Sequence, residues 1–234
     1  MKKTSITYLF FYLTFLMVIW VAVFLDKWLL IYVKPFVPLS LVLLYLKSVK
    51  RIRFLFPLSM VIIAVTDILI YVDFVKYYIL ISILIALFYV LCILMLKRYV
   101  NKKDVKLSML FSPPVIISTL LIAYLIFSVT ELVLPKIIND IKATVLIIVS
   151  ALLFSGVSFF IYLSDRYEKS IYLFIATCCT LFVDFLLAIN EFYFYNRVFT
   201  VLINIAEIGG IYFFVSFFIE TKRIDSSSKE EGHF

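Results

Sequence analysis

Histidine is nearly missing from this chain of 234 residues; the single copy, His233, stands next to the last residue. Cysteine is scarce as well, and Cys92, Cys178 and Cys179 all lie inside apolar runs. Neighbouring residues on a helix point about 100° apart, so Cys178 and Cys179 cannot form an ordinary disulfide. With no CxxC spacing and no Cys/His cluster, a structural zinc site or a His-based centre in the body of the chain is excluded. Charge is thin too, at 16% of residues, where soluble domains carry about 25%. That excludes a secreted enzyme, a cytosolic nucleotide-binding domain and a nucleic-acid binder.

Apolar residues fill the space. They make up 65% of the chain, with 25 Phe, only 4 Gly and a mean hydropathy of +1.14. No water-facing surface accommodates that composition, so the chain reads as an integral membrane protein. The net charge of +7 then reports loops that face anionic cytoplasmic lipid. Lys2 and Lys3 before an apolar run could pass for a signal peptide. The run from Ile6 to Leu25 is longer than such a segment, however, and Asp26-Lys27 is no cleavage site. It reads as the first membrane span.

A spanning helix needs roughly 20 apolar residues between charged or helix-breaking boundaries. On that rule the fold class is all-α: a polytopic membrane protein with eight transmembrane helices in one bundle. The spans fall at residues 6–25, 28–46, 54–72, 75–96, 108–130, 143–164, 170–190 and 198–220. Short connections make successive helices antiparallel neighbours. The bundle occupies residues 1–220, and residues 221–234 form a polar, disordered cytoplasmic tail. Sixteen of the 22 Lys and Arg fall on the side of the N-terminus and five on the other, with Lys34 inside a span. Both termini should therefore face the cytoplasm, with the plasma membrane of a bacterium as the expected location. Asp67 and Asp184 also sit in similar frames 117 residues apart, VTDILIYVD and FVDFLLAINE. This is a weak sign of parallel duplication.

Four ionisable residues fall well inside spans: Lys34, Asp67, Asp184 and Glu207. Each costs about 2.5–3.5 kcal/mol at the centre of a helix, so each should face protein or water. Counted at 1.5 Å per residue, all four lie in the outer half of the bilayer, with Asn204 and Asn190 in the same layer. One reading makes them glue between helices. The other makes them a polar pocket open to the outside, where a neutral carboxyl beside an ionised one supplies a paired general acid and base. Pro35, Pro38, Pro57, Pro113 and Pro114 are expected to break or kink spans 2, 3 and 5. Gly209-Gly210 in the last span permits close helix contact or the approach of a ligand to the backbone, and Phe192–Tyr195 read as an interfacial aromatic belt.

The order Lys34-Pro35, Asp67 and LFVDFLLAINEFY (181–193) resembles the YhhN membrane family, across roughly residues 28–218. That family includes the lysoplasmalogenases, eight-helix proteins that hydrolyse the vinyl ether bond of lysoplasmalogens. The resemblance implies that Asp67 and Asp184 are the catalytic aspartates. Lys34, Glu207 and Asn204 would bind substrate, with Lys34 holding the lipid phosphate. The family's Gly before the first aspartate is Thr66 here, its fourth-span His has no counterpart in FYVL (88–91), and a late polar residue of span 8 is Gly210. Expected partners are a lysophospholipid or other lipid and the bilayer itself, with no nucleic acid, metal or cofactor. Two other readings stay open. One is a non-enzymatic protein that binds or transports a lipid or small solute through the same pocket. The other is a structural subunit.

Overall fold

The computed structural model describes residues 2–49, 54–100, 113–137 and 140–222. Among them every regular element is helical. In order these are α1 (Lys2–Phe24), α2 (Leu30–Val33), α3 (Phe36–Ser48), α4 (Leu55–Asp73) and α5 (Tyr78–Leu96). There follow α6 (Pro113–Ile137), α7 (Ile141–Leu163), α8 (Ser170–Ala188), a π-helical turn (Ile189–Tyr193) and α9 (Arg197–Glu220). The physical reason is uniform. A backbone inside lipid must satisfy its own polar groups, and a helix does so within one segment. Seven segments among the described residues are long and apolar enough to cross a membrane, with α2 and α3 counting as parts of one. This is the architecture of a multi-pass helical membrane protein.

Large apolar side chains cover the outside: Leu9, Leu13, Leu16 and Trp20 of α1 recur at helical spacing and are all more than half exposed. Inside, α8 lies along α9, α5 along α7, α4 along α5, and α1 touches both α3 and α9. The sequence pairs each helix with the next, yet α5 runs beside α7, while α6 rests on the π-helical turn, α8 and α7. The segment joining α5 to α6, and with it the start of the expected fifth span, lies outside the described residues. So does the polar tail from residue 223 onward.

The prolines act differently from the expectation. Lys34-Pro35 does separate α2 from α3, since Pro35 has no N–H to give and crowds the preceding turn. Pro38, Pro57, Pro113 and Pro114 all fall in the first turn of a helix, where the missing N–H has no partner to lose, so they start helices rather than kink them. The proline inside a helix is Pro135, near the end of α6. That helix runs to Ile137, seven residues past the expected end of the span. The aromatic belt also needs correcting. Tyr193, Phe194 and Tyr195 are half or more exposed, but Phe192 turns inward and meets Phe74 and Tyr78 edge-on, at 5.0 and 4.9 Å between ring centroids.

Gly210 serves the tight α8–α9 contact. A Cβ there would stand 2.9 Å from Cys179 Cβ and 3.4 Å from the Ala176 carbonyl, while one at Gly209 would meet nothing within 4 Å. At the same end of the bundle as the α4–α5 turn, Asn196 caps α9 by accepting from the Val198 N–H at 2.8 Å. Its own N–H donates to Asn190 Oδ1 at 2.8 Å. The α8–α9 corner is thereby fixed by side-chain hydrogen bonds in place of regular turns.

Candidate functional site

The break between α2 and α3 sets Lys34 pointing into the bundle, where it is 3% exposed. Its Nζ lies 2.7 Å from Asp67 Oδ1 on α4 and 2.5 Å from Glu207 Oε2 on α9. An ammonium carries three donors, and here two are taken by carboxylates from different helices. Tyr71, one helical turn beyond Asp67, presents its ring face to the same ammonium at 5.1 Å. Asn204 on α9 donates to the Tyr71 hydroxyl at 3.0 Å and to the Thr200 carbonyl at 2.7 Å. The sequence places Asn204 at the substrate. In the structure it is fully buried behind Tyr71 and acts by holding that ring. Lys34, expected to meet a phosphate, meets two carboxylates.

Asp184 approaches from α8 in a different setting. The Tyr89 hydroxyl on α5 donates to its Oδ2 at 2.5 Å, and Tyr89 is itself buried and stacked on Phe154 at 5.5 Å. No lysine or arginine stands within ion-pair distance of Asp184 among the described residues. Thr66, beside Asp67, uses its hydroxyl on the Ile62 carbonyl at 2.8 Å, so it adds no free donor to the site.

These groups line one cavity of about 60 Å³, walled by Lys34, Asp67, Tyr71, Tyr89, Asp184 and Glu207 among apolar neighbours. A second cavity of about 80 Å³ adjoins it and shares Asp184, Ile85 and Leu187 with it. Its walls are mostly apolar and come from α5, α6, α7 and α8, with Phe74 and Phe192 beside them. On the other side, Tyr71 and Ile70 also border an outer cleft of about 390 Å³ that contains Lys27, Trp28, Asp73 and Glu191. Lys27 Nζ pairs with Glu191 Oε1 at 2.5 Å and sits 5.8 and 5.2 Å from the Tyr71 and Tyr195 ring centroids. Tyr71 therefore lines both cleft and cavity, with the Lys27 and Lys34 ammonium groups both near its ring.

No family model, curated protein or solved structure matches the chain. The site is thus read from its own chemistry. Four intramembrane charges from four separated stretches of sequence converge on one small cavity, and they do so in two electrostatically unlike groups. Asp67 and Glu207 share a cation, whereas Asp184 has a phenol. Among the described residues no group of three or more His, Cys, Asp and Glu is placed to hold a metal ion. Sequence reasoning passed over Tyr71 and Tyr89. Tyrosine is common in membrane helices, and nothing in its spacing singles out a ring that a carboxylate or an ammonium will meet.

Proposed function

We propose that the protein is an integral membrane hydrolase of ether lipids, cleaving the vinyl ether bond of a lysoplasmalogen-like substrate, in keeping with the resemblance to the YhhN family. Supporting this reading above all is the presence of two aspartates with unlike partners, Asp67 beside Lys34 and Asp184 beside Tyr89, on the wall of one cavity. Paired acid–base chemistry requires two carboxyl groups in different settings around one substrate. A cavity of about 60 Å³ admits the vinyl ether and a water, with the rest of the lipid outside it.

In this route Asp184, which no cation neutralises, gives its proton to the chain-side carbon of the alkene, and the Tyr89 hydroxyl keeps its other oxygen fixed. The oxocarbenium ion that results is captured by water at the oxygen-bearing carbon, and Asp67 takes the proton that the water loses. The hemiacetal then collapses. Asp67 returns its proton to the departing glyceryl oxygen, the hemiacetal hydroxyl gives its proton to Asp184, and the products are a fatty aldehyde and a glycerophospho alcohol. Both aspartates finish as they began, and no cofactor takes part. Lys34 and Glu207 hold Asp67 in register and supply charge balance.

The same reading places eight helices in the membrane, with α6 as the fifth span and both termini on the cytoplasmic face, as the Lys/Arg asymmetry indicates. The decisive experiment incubates purified protein with alkenyl, alkyl and acyl lysophospholipids of equal chain length. Aldehyde released from the alkenyl lipid alone is the expected result. Release from none of the three overturns the hydrolase and leaves a binding or transport role for the cavity.

A further inference from the structure

Two helices each give the Lys34 cluster a carboxylate and, one helical turn along the same face, a neutral polar residue. On α4 these are Asp67 and Tyr71, and on α9 they are Glu207 and Asn204. Tyr71 lies toward the end of α4 and Asn204 toward the start of α9, so both stand on the same side of the lysine. There Asn204 Nδ2 donates to the Tyr71 hydroxyl at 3.0 Å and ties the two helices together. The acid–base route gives this pair no task. Yet Asn204 is fully buried, and taking an amide out of water is unfavourable unless its hydrogen bonds are replaced. Its nitrogen reaches the Thr200 carbonyl of its own helix and, across to α4, the Tyr71 hydroxyl. Tyr71 itself is partly buried and borders both the polar cavity and the outer cleft. The ring therefore lacks the all-round packing that fixes an aromatic in a core, and the bond to Asn204 takes over that work.

Resting on the hydrolase reading for the reaction, we propose that Tyr71 is the positioning residue of the site. Its ring, held by Asn204, fixes the Lys34 ammonium against Asp67 and Glu207, and Lys34 in turn fixes the Asp67 carboxylate that takes the proton from water. Lysine reaches its partners on a flexible four-carbon stem and binds as a point charge without directional preference. Two of its three donors go to carboxylates on different helices, at 2.7 and 2.5 Å. The Tyr71 ring, with its centroid 5.1 Å from Nζ, is a further partner of a particular kind. It attracts the ammonium through its face, most strongly where water is excluded. Being neutral, it does so without drawing the charge off either acid. A third carboxylate here would compete with Asp67 for the lysine, and an aliphatic side chain would leave the ammonium unguided. Because Asp67 and Tyr71 share one face of α4, the ring also ties the lysine to the helix that carries the base. Tyr71 thus acts through Lys34 and not on the substrate.

The test pairs a spectrum with kinetics. Full-length protein carrying ¹³C-labelled lysine is placed in detergent micelles, and the Lys34 ε-methylene signal is assigned by its disappearance in Lys34→Arg. The ring face should shift that signal upfield in the wild type. The shift is expected to persist in Tyr71→Phe, which keeps the ring, and to vanish in Tyr71→Leu. With alkenyl lysophospholipid, kcat should fall about tenfold in Tyr71→Leu, the scale of a desolvated cation–π contact. Tyr71→Phe and Asn204→Ala should each lose only a few-fold, and the double variant should be no slower than the slower single one, since both changes break one bond. KM should stay unchanged throughout, because neither residue grips the substrate. A wild-type Lys34 signal with no upfield shift overturns the proposal. So does a Tyr71→Leu variant with wild-type kcat, a Tyr71→Phe variant as slow as Tyr71→Leu, or a loss confined to KM. Should Tyr71→Leu not fold, the wild-type shift and the Tyr71–Asn204 cycle decide. If the wild type releases no aldehyde, the hydrolase reading falls, and the spectra alone decide whether Tyr71 positions Lys34.

Discussion

Lys34 is the residue whose loss the structure makes most costly. Two carboxylates stand 2.7 and 2.5 Å from its ammonium, and at an effective dielectric near 20 each contact is worth about 6 kcal/mol of gross attraction. Most of this is offset by taking three charges out of water, at several kcal/mol each, and by repulsion between the two acids. The intact cluster is therefore close to neutral for stability. Lys34→Met removes both attractions and leaves the repulsion with the desolvation, a loss of about 3–5 kcal/mol from a total that is commonly about 5–15 kcal/mol. Cys92, fully buried, offers the assay. In a Cys178→Ser/Cys179→Ser background, a thiol-reactive dye reports unfolding as SDS is titrated into detergent micelles. Lys34→Met should unfold at clearly lower SDS, and Lys34→Met/Asp67→Asn/Glu207→Gln should recover most of the loss, because neutral amides need no counter-charge. Equal unfolding of Lys34→Met and wild type, or a triple variant no better than the single one, would refute the reasoning.

Asp67→Asn and Asp184→Asn should each slow aldehyde release by roughly 10²-fold or more, the usual scale for an acid–base group. Asp73→Asn, at the end of α4, where the side chain accepts from the Lys76 N–H at 2.9 Å, should leave the rate nearly unchanged; steady-state rates of the three variants decide. Tyr89→Phe deletes the hydroxyl that fixes Asp184 and keeps the ring on Phe154. It should lower kcat by about tenfold with little change in KM and cost roughly 1 kcal/mol of stability, read from the same kinetics and the unfolding assay. Gly210→Ala forces a Cβ to within 2.9 Å of Cys179 Cβ and should cost about 1–3 kcal/mol. Gly209→Ala has open space around it and should be neutral or slightly stabilising in the same titration.

The four charges could be found by reading because lipid makes each of them expensive, so a lysine or acid in the middle of a span stands out without any structural knowledge. Their common depth followed from counting residues along helices, and the structure brings them to one wall. Partnership was harder to read. Depth says nothing about azimuth, so whether Lys34 faced a phosphate or two acids depended on helix packing that sequence periodicity cannot resolve in a chain apolar on every side. Tyr71 and Tyr89 were hidden by their ordinariness. The prolines misled for a local reason: a proline in a first turn and a proline in mid-helix look alike until the helix start is known. Phe192 was read as interfacial from its place after a span, but the π-helical turn rotates it inward by adding a residue to the helical repeat.

The ion cluster joins residues far apart in synthesis. Lys34 is synthesised before Asp67 and long before Glu207. Asp67 follows 33 residues later, but Glu207 arrives 140 residues after that. At about 5–20 residues per second, the lysine and first aspartate wait roughly 7–30 seconds for the third member. Until then Lys34 has one of its two carboxylate partners, and the other arrives only with α9. A chain truncated before α9 would retain its early helices yet lack Glu207, Asn204 and the Asn196 cap together. Completion of the cluster therefore reports that α9 has joined the earlier helices, a signal open to any quality-control protease that recognises unpaired charge within the bilayer.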